Sequence, residues 1–280
     1  MRYALAQQPA RKRSFPLAVL FEKEAAAKLS SPWFFLLASA ACLIATLYGG
    51  GFQSGFQTET VLVTANPLGI LNAIMAIFLA VVLGMRLAAG MAWEREHGTL
   101  EVLLISPAGA RSIVLAKFAA ELVVLSVMLG IYAMFLLVGQ PLGPGVVRFG
   151  DVAALATNVA LVLPVMAFGL LISCFFSSVR NAVTAYLVVV ALLAAFEAVL
   201  SMLQHSQPQE LSLAMLYLRA GLEGVDLVIG PMSAAAPLAD LGRSAIDQIV
   251  IGPSKIAGSL LLALVTVVLC GETVRVRGAA

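Results

Sequence analysis

Six long apolar stretches constrain this chain more than any other feature of its sequence. A bilayer core about 30 Å thick is crossed by roughly 20 helical residues at about 1.5 Å each. Each of the six stretches approaches or exceeds that length. We therefore predict an all-α transmembrane domain over residues 32–272. Its six spans are predicted at residues 32–52, 67–93, 111–138, 152–176, 181–203 and 249–271.

The composition agrees with a polytopic membrane protein. Apolar residues make up 61% of the chain and charged residues 11%, whereas a soluble domain carries about 25% charged residues. The formal net charge of +2 is too small to indicate a nucleic-acid partner. The bilayer itself is the first partner that the composition predicts.

The distribution of basic residues predicts the orientation. With six spans, all of the 17 Lys and Arg residues except four fall on the side of the N-terminus or can snorkel towards it. The four exceptions are Arg148, Arg219, Arg243 and Lys255. Short basic loops stay in the cytoplasm, so both termini, residues 1–31 and 273–280, are predicted to be cytoplasmic.

Two segments outside the spans carry structure of their own. Residues 15–29, FPLAVLFEKEAAAKL, place apolar side chains near one face at helical spacing. This pattern favours an amphipathic helix in the membrane interface over a solvated tail. Residues 204–252 are too long for a plain connection and are predicted to form short external or re-entrant helices.

A charged segment, WEREHGTLEVLLISP, follows the second span at residues 93–107. Gly98 suits a left-handed helix terminator, and Thr99 suits the N-cap of a new helix that Pro107 ends. Residues 94–110 are therefore predicted to form a short apolar helix region on the cytoplasmic side. Such a helix either docks on a partner or lies flat among the lipid headgroups.

This segment resembles a known family. The run EREHGTLEVLLISPAGARSIVLAKFAAEL is similar to the signature of type-2 ATP-binding-cassette (ABC) permeases, and Ala116 stands where that family usually has Gly. FEKEAAAKLSSPWFF and FFSSVRNAVTAYLVVV resemble its N-terminal helix and its turn into the fifth span. LGRSAID is similar to gliding-motility and copper-enzyme-maturation permeases. The matching residues of the central run are Glu94, Glu96, Gly98, Thr99, Leu103, Leu104, Ser106, Pro107 and Lys117.

The resemblance implies the permease subunit of an exporter in the bacterial inner membrane. It implies two copies of a separate cytoplasmic ATPase, which bind the ATP and Mg²⁺, and a second permease copy in a homodimer. The chain lacks GxxxxGK[ST] and so has no phosphate-cradling loop of its own. We therefore expect a transporter subunit without a cofactor, not an enzyme.

The resemblance also identifies the short helix as a coupling helix that docks into a groove on the ATPase. Its three carboxylates would meet basic groups on the ATPase, while its leucines would fill the groove. The residues expected to couple the chain to the ATPase are Glu94, Glu96, Gly98, Thr99, Leu100, Glu101, Leu103, Leu104, Ser106 and Pro107.

Two carboxylates lie deep in predicted spans and form a possible intramembrane polar site. Burying a charge there costs roughly 2.5–3.5 kcal/mol on insertion scales, so such groups are often functional. Glu121 either serves function or pairs with Lys117 one turn earlier. Glu197 either lines a polar cavity or translocation route, or pairs within the bundle.

Other kinds of site find no support in the sequence. No nucleophile–base pair and no metal-ligand cluster is visible, so we predict neither catalytic nor metal-binding residues. Cys42, Cys174 and Cys270 lie in apolar segments and are interpreted as small packing residues. Two other functions stay open, a secondary transporter and a membrane anchoring or assembly protein that recruits a soluble partner.

Overall fold

The computed structural model describes residues 16–57, 67–101, 109–139, 149–205, 215, 217–218, 220–222 and 245–278. These residues form helices and turns and contain no strand. The main helices are α1 (Pro16–Leu29), α2 (Pro32–Gln57), α3 (Pro67–Glu96), α4 (Gly109–Gly139), α5 (Phe149–Phe175), α6 (Val179–His205) and α7 (Ala245–Gly278).

The helices confirm an all-helical, polytopic membrane protein. Four of them are long and apolar enough to cross a bilayer, over Leu71–Glu96, Gly109–Leu136, Val179–Leu200 and Ile256–Val276. α5 contributes a shorter apolar stretch, Val162–Phe175. α1 and α2 meet the same criterion only together, as a pair bent by 58°. Because α2 and α5 do not meet it alone, the number of six spans stays a prediction.

The bend between α1 and α2 has a local cause. The Ser31 hydroxyl donates a hydrogen bond to the carbonyl of Lys28, and Pro32 begins the next helix. Pro lacks a backbone N–H but is tolerated in the first turn of a helix. α1 is thus a helix, as predicted, and its position in the membrane interface stays a prediction.

The centre of the bundle is formed by α3, α5 and α7, with α6 and α4 packed against it. α3 and α5 cross where Gly84 lies against Gly169, and a Cβ added to Gly169 would collide with the Gly84 backbone. A Cβ added to Gly84 would collide with the Tyr186 ring of α6. We call these three residues the glycine crossing. Small residues let membrane helices approach closely, which is how such helices gain packing energy in lipid.

Polar groups also connect the central helices. The Ser173 hydroxyl of α5 accepts hydrogen bonds from the backbone N–H groups of Met91 and Ala92 in α3, both at 2.9 Å. The Tyr132 hydroxyl donates to Asn72 Oδ1 at 2.7 Å. These contacts lie in the buried interior, where an unmade hydrogen bond is costly.

The cysteines differ from the sequence interpretation. Cys174 of α5 and Cys270 of α7 form a disulfide, although 96 residues separate them in sequence. Packing of α5 against α7 brings them together, and no spacing pattern in the sequence indicates such a pair. Cys42 is a free, partly exposed cysteine.

The predicted external segment, residues 204–252, is described only in part. Met215, Tyr217, Leu218 and residues 220–222 are helical, and α7 already begins at Ala245. The large side chains of Met215, Tyr217 and Leu218 are exposed. The remaining part of this prediction lies outside the described residues.

Candidate functional site

The end of α3 has the predicted geometry. The backbone N–H groups of His97 and Gly98 donate to the carbonyls of Trp93 and Arg95, both at 3.1 Å. Gly98 has φ of 67°, in the left-handed region that glycine adopts without a steric penalty. Gly98 therefore ends α3, and the chain turns directly into a helical segment at Thr99–Glu101.

Thr99 acts differently from the predicted N-cap. Its hydroxyl donates to the backbone carbonyl of Glu94 at 3.2 Å and also to the Glu94 carboxylate. A carboxylate is a stronger acceptor than a neutral group, which explains why the hydroxyl turns back towards α3. Thr99 thereby ties the new helical segment to the last turn of α3.

Two charged residues of the segment hold the turn between α5 and α6. Arg95 donates through Nη1 to the carbonyls of Cys174 at 2.6 Å and Phe176 at 3.4 Å. Glu96 Oε2 accepts a hydrogen bond from the backbone N–H of Val179 at 2.9 Å. These backbone groups lie at helix ends, where intrahelical partners are missing. The carboxylate of Glu96, predicted to meet an ATPase, thus binds within the chain.

Lys117 of α4 joins three elements. Its ammonium group lies 3.0 Å from Glu94 of α3 and 3.1 Å from Glu24 of α1, and the residue is 7% exposed. Because Glu94 also binds Thr99, a continuous polar path runs from α1 through α4 to the segment after α3. Glu94 is therefore engaged inside the protein as well.

Glu121 lies one turn after Lys117 and binds other cations. Its Oε1 is 2.8 Å from Lys28 Nζ of α1 and 3.4 Å from Arg86 Nε of α3. The alternative of a pair with Lys117 is not what the structure shows, because Lys117 is directed towards Glu24 and Glu94. With only 1% exposure, Glu121 obtains its charge partners across helices.

We call these six residues the charged cluster: Glu24, Lys28, Arg86, Glu94, Lys117 and Glu121. The sequence contains a signal for it, since α1 carries Glu-x₃-Lys and α4 carries Lys-x₃-Glu. The pairs Glu24–Lys117 and Lys28–Glu121 keep the same order along both helices. The two helices therefore run in the same direction here, and their charge patterns are complementary. Recognising this requires knowing that α1 packs on α4.

An open cavity of about 410 Å³ lies at the charged cluster. All six charged residues line it, and α3 and α5 supply an apolar wall. The Oε2 atom of Glu121 and the Nη1 atom of Arg86 are buried and have no hydrogen-bond partner among the described residues. The wall is formed by Leu87, Ala89, Gly90, Trp93 and Leu170.

The remaining predicted coupling residues are described only in part, and the two described ones differ in exposure. Leu100 is 8% exposed and belongs to the hydrophobic core, whereas Glu101 is exposed. Leu103, Leu104, Ser106 and Pro107 lie outside the described residues. Of the described side chains, Glu101 thus presents its carboxylate outwards, while Leu100 anchors the segment inwards.

Glu197, the second carboxylate of the predicted intramembrane site, is buried in α6 at 7% exposure. It does not line the cavity at the charged cluster. The cavity at the charged cluster therefore includes Glu121 and not Glu197.

Comparison with known proteins identifies the family. A family model described as ABC-2 family transporter protein matches residues 18–273. A search of curated proteins finds no match. Because the family match covers most of the chain, the chain belongs to the ABC-2 transporter family and is the membrane component of an ABC transporter. It is a multi-pass membrane protein, and the family is not itself catalytic.

Proposed function

We propose that this ABC-2 family protein is the permease subunit of an exporter, driven by a separate cytoplasmic ATPase. ATP and Mg²⁺ would bind to the ATPase, of which two copies serve a permease homodimer. The protein would lie in a bacterial inner membrane with six spans and with both termini in the cytoplasm. The bias of Lys and Arg towards one side supports this orientation.

One observation carries the proposal: the segment after α3 is bound to several helices at once. Thr99 and Glu94 link it to Lys117 of α4, and Lys117 links it to Glu24 of α1. Arg95 and Glu96, on the same turn, bind the connection between α5 and α6. A displacement of Thr99–Glu101 would therefore act on α3 through Glu94 and, through Lys117, on α4 and α1. The last turn of α3 would pass it to the connection between α5 and α6.

The docking surface is proposed to lie at residues 99–107. Glu101 is exposed, which suits contact with a basic group, and the sequence supplies Leu103, Leu104, Ser106 and Pro107 shortly after it. Apolar side chains that fill a groove contribute most of the energy of such contacts, commonly about 2 kcal/mol or more for an anchor. Exposed charges mainly affect encounter and specificity.

The docking step is tested by co-purification. The chain is expressed together with candidate ABC ATPases of the same organism, and complex formation and ATP hydrolysis are measured. The double substitution Leu103→Asp/Leu104→Asp should lower both by about tenfold or more, because charged groups replace the apolar anchors. Val276→Asp, at an exposed position near the end of α7, is the matched control and should leave both unchanged. An unaffected complex in the double variant would contradict docking at this segment.

The transmission step is tested separately with Lys117→Met. This variant keeps residues 99–107 and should still bind the ATPase, because the Lys117 side chain is buried and offers a partner no surface. Vanadate-sensitive substrate movement should fall, since the path to α1 and α4 is interrupted. Movement that needs no ATPase would instead favour a secondary transporter. An ATPase complex without any movement would favour an anchoring or assembly protein.

A further inference from the structure

The cavity at the charged cluster contains equal numbers of positive and negative groups. Lys28, Arg86 and Lys117 supply the cations, and the carboxylates come from Glu24, Glu94 and Glu121. The formal charges of the six residues sum to zero. A net anion or a net cation would therefore find one set of opposed charges unfavourable, whereas a zwitterion can face both.

Two of these six side chains have a hydrogen-bonding atom without a partner among the described residues. Glu121 Oε2 is an acceptor without a partner among the described residues, although the residue is 1% exposed. Arg86 Nη1 is a buried donor without a partner there as well. Buried polar groups are normally hydrogen-bonded, so an unpaired donor and an unpaired acceptor on two contacting side chains indicate a place for a polar ligand.

The wall of the cavity indicates that this occupant also has an apolar part. Ala89, Gly90 and Trp93 supply accessible apolar surface, with the buried Leu87 and Leu170 behind them. A Cβ built on Gly90 would have open space around it. Trp93 is 49% exposed, as expected of a ring in the headgroup layer of a bilayer. A cavity of about 410 Å³ falls within the roughly 300–1,000 Å³ of ligand pockets.

We propose that the cavity binds a phospholipid with a phosphoethanolamine headgroup, taken from the leaflet on the side of Thr99–Glu101. The phosphate accepts hydrogen bonds from Arg86 and Lys28, which offers donors beyond the one directed at Glu121. The primary ammonium group donates to the carboxylates of Glu24 and Glu121. A trimethylated choline headgroup has no N–H to donate, so the site distinguishes the two zwitterionic lipids. The acyl chains follow the accessible part of the apolar wall, at Ala89, Gly90 and Trp93.

The test uses the full-length protein and native mass spectrometry. The protein is exchanged into detergent with an equimolar mixture of phosphatidylethanolamine, phosphatidylcholine and phosphatidylglycerol of matched acyl chains. The wild type should retain phosphatidylethanolamine about tenfold over phosphatidylcholine, the ratio expected for one charge-assisted hydrogen bond. Equal retention of the two lipids, or a preference for phosphatidylglycerol, would overturn the proposal.

The decisive variant fills the cavity without removing a charge. Gly90→Leu places a side chain into the open space, and leucine is a better helix former than glycine, so the fold is retained. The preference for phosphatidylethanolamine should disappear. Gly130→Leu is the matched control, because Gly130 is an exposed helical glycine with nothing near its Cβ and lies outside the cavity. A preference unchanged in Gly90→Leu, or equally lost in Gly130→Leu, would refute the site.

Two further arms separate headgroup chemistry from lipid binding in general. Arg86→Gln should lower retention of phosphatidylethanolamine about tenfold, as one charged donor is lost. Arg180→Gln, at an exposed position in α6, should not lower it. Soluble glycerophosphoethanolamine should not replace the lipid at equal concentration, since it lacks the acyl chains that contact the wall. Replacement by the soluble compound would show that the site takes a free phosphate ester instead.

Discussion

The charged cluster and the glycine crossing both hold α3 to its neighbours, but by opposite means. At the crossing, Gly169 brings two backbones together so closely that no Cβ fits. In the cluster, Lys117 holds Glu24 and Glu94 by side chains alone. Backbone contact permits one arrangement, whereas long side chains can exchange partners. The comparison teaches that the crossing fixes α3 against α5, while the charged contacts among α1, α3 and α4 can adjust.

The largest effect is expected from Gly169→Leu. The new side chain would meet the Gly84 backbone, which cannot move aside, so the free energy of unfolding should fall by more than about 3 kcal/mol. The yield of monodisperse protein and its thermal unfolding in detergent provide the measurement. Gly130→Leu, with open space around its Cβ, is the control. A stable, monodisperse Gly169→Leu protein would show that the crossing is as adjustable as the cluster.

Lys117→Met comes second. It leaves Glu24 and Glu94 without their shared cation, and breaking a fully buried pair costs about 3–5 kcal/mol. Because Glu24 is partly exposed, we expect a loss of about 2 kcal/mol in unfolding free energy. The additional replacement Glu94→Gln should recover part of this loss, since it removes one unpaired charge. Failure to recover any of it would mean that Lys117 contributes mainly through packing.

A smaller loss is expected from Ser173→Ala. Two backbone N–H groups of α3 lose a buried acceptor, and we expect a loss of about 1.5 kcal/mol in unfolding free energy. Ser126→Ala is the control, because the Ser126 hydroxyl is exposed and bonds only the carbonyl of Leu122 in its own helix. Equal free energies of unfolding of the two variants would show that the hydrogen bonds to Ser173 do not help to hold α3 against α5.

The smallest effect belongs to Tyr186→Phe. The hydroxyl donates to the carbonyl of Ala80 at 3.1 Å, and single hydrogen bonds between membrane helices average about 0.6 kcal/mol. The ring stays in place against Gly84, so the crossing should keep its geometry. A loss as large as that of Lys117→Met, in the same unfolding measurement, would show that polar contacts dominate both regions.

Much of the fold is predictable from the sequence, because hydropathy acts over whole segments. The predicted spans lie almost entirely within α2 to α7, since roughly 20 apolar residues leave the chain few alternatives to a helix in lipid. The left-handed conformation of Gly98 was predictable because the end of a helix depends on one residue and its sequence neighbours. The match to the ABC-2 family agrees with the resemblance read from the charged segment.

The partners of the charges were not predictable in the same way. Glu94 and Glu96 were expected to face an ATPase, which stays a prediction. Within the chain they bind Lys117 and the backbone of Val179, and neither contact was foreseen. Lys28 and Arg86 contributed to the predicted orientation, but the sequence indicated no charge partner for them, although both bind Glu121. A charge in an apolar helix indicates that a partner is needed but does not identify it. Glu94 binds a lysine 23 residues away, and Lys28 binds a glutamate 93 residues away, each on another helix.

The sequence by itself determined that this protein is a bundle of membrane helices with a charged segment after α3. Those features depend on composition and on contacts within a few residues, and any fold of the chain must respect them. Only the tertiary structure decided that the charges converge on one neutral, open cavity. Packing of α1 on α4 sets the register of their side chains, and register between helices is fixed by surfaces that no single segment contains.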